Sequence, residues 1–407
     1  MATTVQESAT LQSKLEQVVE HLSAIERPSA SAGERQAAEW IATRLQDIGC
    51  KVAVEEEKAH GTFWWPLGLL SAIGVAAGGI GLGRSNSKHR LPATLAGSLA
   101  CAGIWNDLSS GDKQWFRHHF LPKRSTWNVV AEVGDLQAKR TLVVLAHHDA
   151  ANTGLLFHPK VFQWWSGGHP AITERIDTSL PIMAPVLLGP LMVTLGNLTR
   201  RKWLTAAGTA MTLSSIASFA DIGSQQVVPG ANDNLSGVAA LFGVAQKLQQ
   251  KPVKGLRVLL VSTGSEESFL EGMRAFGRRH FADLPQENTR FICLDTVGSP
   301  ELVLVEGEGM LRMRGYDRDF KKLIGDCAAS AKVNLRRGMR IHAATDGLIS
   351  HLAGYKTALI ASMNQYKRPS NYHTMQDTPE NIEWNTVNDA IKVCDAAIRR
   401  LASKWPA

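Results

Sequence analysis

The sequence lacks the cysteine pairs that build a zinc knuckle or a disulfide scaffold. Its five cysteines, Cys50, Cys101, Cys293, Cys327 and Cys394, are far apart and no CxxC occurs. It also lacks a basic stripe interleaved with aromatics. The net charge is +7, but the Lys and Arg residues are dispersed, which argues against a nucleic-acid partner. The N-terminus, MATTVQESATLQSKLEQVVEHL, has neither the basic start nor the apolar core of a signal peptide. No low-complexity tract is present. At 407 residues, 44% hydrophobic and 20% charged, the chain is ordinary globular material, long enough for one large α/β domain or two smaller ones.

Apolar spacing predicts an amphipathic helix over 10–25, carrying Leu11, Leu15, Val18, Val19 and Leu22. A polar break, ERPSASAGE, precedes a second helix, RQAAEWIATRLQDIG, with Gly49 placed as its C-cap. KVAVEEE alternates like a strand, and NVVAEV (128–133) and TLVVLAH (141–147) follow as strands joined by GDLQAKR. Further along, SGVAALFGVAQKLQQ reads as a helix, RVLLVSTG and FICLDTVG as buried strands, then LVLVEGEG, YKTALIASM and a helix around TVNDAIKVCDAAIRRLASK. Apolar strands alternating with helices predict a three-layer α/β/α fold with a mixed, mostly parallel sheet. Ligands bind such sheets at the C-terminal strand ends.

Polar residues gather at those ends in five places: His147-His148-Asp149, Asp233 in GANDNLSG, Glu266-Glu267 in STGSEES, Asp295 ending FICLD, and His373 with Asp377 in NYHTMQDT. Each has a plain explanation alone. A strand-end His can be structural, an Asp before a helix can be an N-cap, and paired glutamates can be a solvated loop. Together they crowd carboxylates into one cleft, which drives them toward protonation unless cations bind there. His plus carboxylate suits zinc. Two such ions roughly 3.5–4 Å apart can clamp an attacking water and a carbonyl or phosphoryl oxygen, while a nearby glutamate takes the water's proton.

AHHDA, GANDNLSGVAAL, GSEES, LDTVG and YHTMQDT, in that order, resemble the co-catalytic dizinc peptidases. That family includes bacterial leucyl aminopeptidases, glutamate carboxypeptidase II, plasma glutamate carboxypeptidase and the glutaminyl cyclases. The resemblance covers nearly everything outside two apolar insertions. It implies a single zinc-peptidase-like domain over 1–407, interrupted by insertions at 61–124 and 155–226. It further implies two Zn2+ ions, one held by His147 and Asp295, the other by Glu267 and His373, with Asp233 bridging. Glu266 would be the general base, and Asp149 would accept the second ring N–H of His147. His148 alternates to the other side of its strand and has no family role. One departure stands out in ATDGLISHLAGY: Asp346 fits an Asp-His pair, but Gly347 takes the histidine's place.

The insertions contain FWWPLGLLSAIGVAAGGIGLG with LPATLAGSLACAGIW, and SLPIMAPVLLGPLMVTLGNL with WLTAAGTAMTLSSIASFA. Each is an apolar hairpin with a short basic loop, Arg84-Lys88-Arg90 in one and Arg200-Arg201-Lys202 in the other. If the second strand runs antiparallel to its neighbours, as the resemblance implies, both hairpins emerge at the active-site edge. Hairpins 63–106 and 179–220 are then either a lid or a membrane anchor. Segment 63–83 has 21 uncharged residues, near the ~20 that span a bilayer, and Trp64, Trp65, Trp105 and Trp203 sit where an aromatic belt would. Insertion with cytoplasmic basic loops puts the peptidase domain on the exoplasmic side; the alternative is a soluble cytoplasmic protein.

The function expected is a dizinc aminopeptidase acting on peptide N-termini. The alternatives are a glutamate-type carboxypeptidase or dipeptidase on the same site, a glutaminyl cyclase, and a metal-free peptidase-like receptor. The last two fit less well, because both ligand sets are intact.

Overall fold

The computed structural model describes residues 2–83, 87–109, 113–161, 176–179 and 181–405. Its frame is a seven-stranded sheet in the order β1-β2-β4-β3-β5-β10-β6. In chain order these are β1 (Lys51–Ala59), β2 (Arg124–Gly134), β3 (Thr141–His147), β4 (Arg257–Thr263), β5 (Thr289–Asp295), β6 (Glu301–Val305) and β10 (Lys356–Met363). Strands β4, β3, β5 and β10 are parallel. β2 is antiparallel to both β1 and β4, and β6 is antiparallel to β10.

The expected central strand, TLVVLAH, is buried at every residue. Its alternation explains the three layers. Leu142, Val144 and Ala146 join a core under the helices Ala2–Ser23, Ala32–Asp47, Ser236–Gln250, Arg318–Ser330 and Trp384–Ser403. Val143 and Leu145 face the opposite core, with Met273 and Phe276 of helix Glu271–His280 and Leu348 of helix Asp346–Leu352. Side chains of period two thus feed two cores from one strand. The first helix begins earlier than its apolar spacing suggested, and Leu15, Val19 and Leu22 are its fully buried stripe. Gly49 follows helix Ala32–Asp47 with φ +99, a left-handed turn that a side chain would strain.

The parallel strands end level with one another. His147 pairs with Thr263, and Asp295 with Ala361, so the loops after them converge on one edge. Because β2 runs antiparallel, the end of β1 and the start of β2 meet at that same edge, Ala59 opposite Arg124. The first hairpin, Trp64–Gly83 and Ser87–Leu108, therefore rises from the edge where His147 ends its strand. So does the second, Ala184–Thr199 and Lys202–Ser224. The two pack on each other as one four-helix bundle. Arg84 and residues 162–175 of the insertions lie outside the described residues.

A cluster of Phe63, Leu67, Phe157, Val186, Phe219 and Phe269 joins the foot of the bundle to the sheet edge. A small second sheet of β7 (Gly307–Glu308), β8 (Arg314–Gly315) and β9 (Arg340–Ile341) flanks the same edge.

Candidate active site

The five metal-ligand candidates and Glu266 converge. His147, Asp233 and Asp295 place one ligand atom each within 4.8 Å of one another, and so do Asp233, Glu267 and His373. Glu266 groups with His147 and Glu267. Asp233 belongs to both triads: its Oδ1 is 3.2 Å from His147 Nε2, and its Oδ2 is 3.2 Å from His373 Nε2. His373 Nε2 is also 3.3 Å from Glu267 Oε1. Yet this nitrogen is buried with no hydrogen bond of acceptable geometry. A buried ring nitrogen among carboxylate oxygens, hydrogen-bonded to none of them, suits a coordinated cation, and the His/carboxylate set fits zinc.

The electrostatics agree. Burial pushes the Glu266 carboxyl well above its ordinary value, and the charges of Glu267, Asp346 and Asp295 add to this. Burial and the neighbouring Asp233, Asp346 and Glu267 raise Asp295 to about 7. Burial opposes protonation of His373, but Glu267 and Asp233 outweigh it and hold the ring at about 10. Burial likewise opposes protonation of His147, but Glu266, Asp149 and Asp233 lift its ring well above the usual value. Protons therefore occupy the places where a cation would be held.

Each ligand is positioned by local structure. Asp233 sits in the tight Ala231–Leu235 turn ahead of helix Ser236–Gln250, and it is not the cap of that helix. Asn234 does the tethering instead. Its Oδ1 accepts from Gly237 N (3.2 Å) and Thr296 N (2.9 Å), while its Nδ2 donates to Leu294 O (2.8 Å). Asp377 accepts the backbone N–H of Asn232 (2.7 Å) and of Asp233 (3.0 Å), fixing the turn that carries the Asp233 carboxylate from behind. Asp149 lies 3.4 Å from His147 Nδ1 through Oδ1, and its backbone carbonyl is nearer still, at 3.2 Å. The two together fix the ring, a role the sequence assigned to the carboxylate alone. His148 points the other way. Its Nδ1 is 2.9 Å from Ser262 Oγ, and burial depresses it to about 3, so it is a neutral structural residue.

Several supporting residues escaped the sequence reading. Arg27, in what looks like a polar break, is fully buried and donates to the carbonyls of His148 (2.7 Å), Pro229 (2.7 Å) and Gly230 (2.9 Å). It locks the segment after His147 to the one before Asp233. Glu34 accepts from Ala30 N, Ser265 N, Ser265 Oγ, Thr126 Oγ1 and Trp127 N, which anchors the turn leading into Glu266. Arg117, after the first hairpin, pairs with Asp107 (2.7 Å) and donates to Ser268 O (2.7 Å), gripping the same turn from its far side. Of these positions, only the Asp377 in YHTMQDT had drawn notice by its motif.

The departure at Gly347 has a steric cause. A Cβ there would lie 3.0 Å from Cys293 Cβ and 3.1 Å from Tyr316 Oη, so a histidine would not fit without displacing both. Asp346 is buried and bonds Thr263 Oγ1.

A cavity of about 470 Å³ opens from the ligand cluster. Its wall is largely apolar, with Val303, Val305, Met310, Met339 and Met363 on one side and Phe63, Ile182 and Met183 from the bundle's foot on the other. Tyr372 stacks on His373 at 3.9 Å and Phe157 meets the same ring edge-on at 4.5 Å, walling the second triad.

Comparison with known proteins agrees with this site. Residues 214–398 match peptidase family M28, a span holding Asp233, Glu266, Glu267, Asp295 and His373 but beginning after His147 and Asp149. No curated protein sequence matches the chain. Among solved structures, an aminopeptidase from Aneurinibacillus sp. strain AM-1 is similar with TM-score 0.55 and 13% identity, over 96% of this chain and 93% of that one. A glutaminyl cyclase from Bacteroides thetaiotaomicron, bound to N-acetylhistamine, has TM-score 0.55 and 15% identity, over 95% and 97%. BSAP, a zinc aminopeptidase from Bacillus subtilis, has TM-score 0.54 and 15% identity, over 95% and 94%. At such identities the likeness is one of fold, the mixed and mostly parallel sheet described above. Over residues 214–398 the chain is thus similar to peptidase family M28, and over nearly its whole length to the fold of these solved structures.

Proposed function

We propose that the protein is a dizinc aminopeptidase that removes N-terminal residues from peptides. The observation that carries this is the position of Asp233, whose two oxygens face His147 and His373 at equal distance and so belong to two complete ligand sets. His147 and Asp295 would hold one Zn2+, Glu267 and His373 the other, with Asp233 shared. The two ions supply Lewis-acid polarisation of the scissile carbonyl and acidification of the attacking water. Glu266 takes that water's proton and delivers it to the departing amine. It lies beside His147 and Glu267 but outside the two sets that share Asp233, a position from which it can carry the proton between the two steps. Asp149, Arg27 and Asp377 keep His147 and Asp233 aligned. The apolar cavity receives the side chain of the N-terminal residue. In this reading the two hairpins also attach the enzyme to a membrane.

A carboxypeptidase reading draws on Lys367 and Arg368 in the cavity wall, where a substrate carboxylate could be met. Lys367 Nζ, however, is turned to the carbonyl of Ile176. The test is a panel of aminoacyl-nitroanilides run beside dipeptides with free C-termini, with and without chelator, plus metal analysis. Two zinc per chain and chelator-sensitive release of nitroaniline are expected. Cleavage confined to C-terminal residues, or a single metal with cyclisation of N-terminal glutamine, would replace the aminopeptidase.

A further inference from the structure

The bundle reverses the usual arrangement of a water-soluble helical domain. Thirteen of the twenty large apolar side chains that stand exposed among the described residues lie on its four helices. They include Leu69, Leu91, Leu95, Leu188, Leu198 and Leu213, between 40% and 66% exposed. Above the apolar foot, where Leu67, Leu70, Ile104, Val186 and Phe219 are buried, much of the interior is small and polar: Gly74, Gly78, Asn197, Thr205, Gly208 and Thr212 are buried there. Backbones approach closely at these glycines. A Cβ on Gly208 would lie 2.7 Å from both Gly189 O and Val193 N. Close packing by small residues with polar groups turned inward is how helices associate in lipid.

Hydrogen bonding follows the same logic. Hydroxyls return to carbonyls of their own helices, Thr194 to Pro190 (2.9 Å), Thr209 to Thr205 (2.7 Å) and Thr212 to Gly208 (2.8 Å). Asn197 Nδ2 crosses to Ala77 O at 3.2 Å. These four side chains are satisfied without water, as hydrocarbon demands, while Ser71 Oγ in helix Trp64–Gly83 is buried without a partner.

Charge marks two levels. Within the helices, residues 64–83, 91–106, 184–199 and 203–220 carry no Asp, Glu, Lys or Arg, and helical stretches of that length rise roughly 24–30 Å, against a hydrocarbon core of about 30 Å. At the far end stand Arg90, Arg200, Arg201 and Lys202, complementary to anionic headgroups. Near the peptidase end are Asp107, Asp177 and Asp221. Trp65 and Trp105 are exposed at the peptidase end and Trp203 at the other, two belts rather than one. Helix Trp64–Gly83 is by length and composition apolar enough to cross a membrane, and more than half of its apolar stretch is left unburied.

We infer that the two hairpins form one inside-out bundle spanning a lipid bilayer, and that it holds the catalytic cavity at the lipid–water boundary. Phe63 and Met183 are both cavity wall and bundle foot, so the polypeptides reached are those whose termini lie on the membrane surface. This rests on the membrane attachment proposed above and not on the identity of the bond cleaved.

The test uses the full chain in vesicles of phosphatidylcholine and phosphatidylglycerol. The protein floats with the vesicles and stays with them through alkaline carbonate. The variant Leu95→Lys/Leu188→Lys/Leu213→Lys changes only exposed positions. It retains hydrolysis of a soluble aminoacyl-nitroanilide but loses about ten-fold or more of the carbonate-resistant fraction. In right-side-out and inverted membrane vesicles from expressing cells, an impermeant maleimide labels Thr199→Cys in one and Ser403→Cys in the other, above the signal of the unsubstituted chain. A peptide anchored by a C-terminal acyl chain is cleaved about ten-fold faster than its free form on vesicles, and the triple variant shows no such gain. Overturning results are a detergent-free monomer in the aqueous fraction, a lipid-independent dimer covering the apolar band, labelling of both cysteines from one side, or equal rates on anchored and free peptide.

Discussion

Asp149 accepts the backbone N–H of Glu266 through Oδ1 at 3.0 Å, while its Oδ2 accepts that of Glu267 at 3.1 Å and the Ser29 hydroxyl at 2.6 Å. One carboxylate thus sets the ring of His147 and the turn carrying both glutamates. An amide in its place presents one acceptor and one donor to three donors. Asp149→Asn is therefore expected to weaken zinc retention by about 10–100-fold and to lower kcat with little change in KM. Chelator competition and steady-state kinetics check this; unchanged metal affinity and kcat would leave Asp149 a mere turn former.

Glu266 stands beside His147 and Glu267 but outside the two triads that share Asp233. Removing its basicity should spare the metal. Glu266→Gln is expected to keep two zinc per chain and lose about 10²–10⁴-fold in kcat. Glu267→Gln should lose one metal as well as activity. If Glu266→Gln hydrolyses at the wild-type rate, the base lies elsewhere.

The cluster of candidate ligands was legible because charged residues at the ends of apolar strands have few uses, and five such ends recurred in one sheet. Arg27 and Glu34 were not legible because their partners are backbone groups and hydroxyls far along the chain. ERPSASAGE reads as polar loop until His148 and Gly230 close around it. Gly347 was visible as a departure, but its reason needed the packing of Cys293 and Tyr316. The hairpins were visible as apolar stretches. Their union into one bundle was not, because the residues that join them are Gly, Thr and Asn rather than an apolar stripe.

Zinc must displace protons at this site. In the metal-free protein burial keeps Asp295 protonated to about pH 7, and Glu267 and Asp233, against burial, keep His373 protonated to about 10. Both folded values are raised. Their stabilisation is complete below the unfolded values, near 4 and 6.5, and is lost as pH rises through about 7 and 10. Metal affinity runs the other way, rising about ten-fold or more per pH unit below about pH 7. Chelator competition at several pH values, with calorimetry in buffers of different ionisation enthalpy, should show proton release on binding. Affinity flat with pH would mean that the ligands are already deprotonated.

Arg27 joins the segments next to His147 and Asp233, with no carboxylate partner in hydrogen-bond range among the described residues. Burial lowers its guanidinium to about 10, still charged at neutral pH. Arg27→Met leaves the carbonyls of His148, Pro229 and Gly230 without their donor, at a cost of about 2–4 kcal/mol. Arg27→Lys recovers part of this, since an ammonium cannot reach all three. Urea denaturation measures the loss, and zinc retention should fall with it, because the segments leading from His147 and to Asp233 are no longer pinned together. An unchanged midpoint for Arg27→Met would show that water replaces the guanidinium at no cost.

The cavity gives the chemistry a preference that can be reversed by filling it. Ala344 lines the wall between Met310 and the small sheet, where a larger side chain would project into space otherwise open to an N-terminal Leu or Phe. Ala344→Phe is expected to cut kcat/KM for leucyl-nitroanilide by about 10–100-fold while leaving alanyl-nitroanilide within a few-fold, since each methylene in an apolar pocket is worth about 1–3 kcal/mol. Both substrates should depend on the same zinc and on Glu266. If the two fall together, the cavity serves some part of the substrate other than the first side chain. A selective loss of the leucyl substrate would assign the Met-lined wall to the residue being removed.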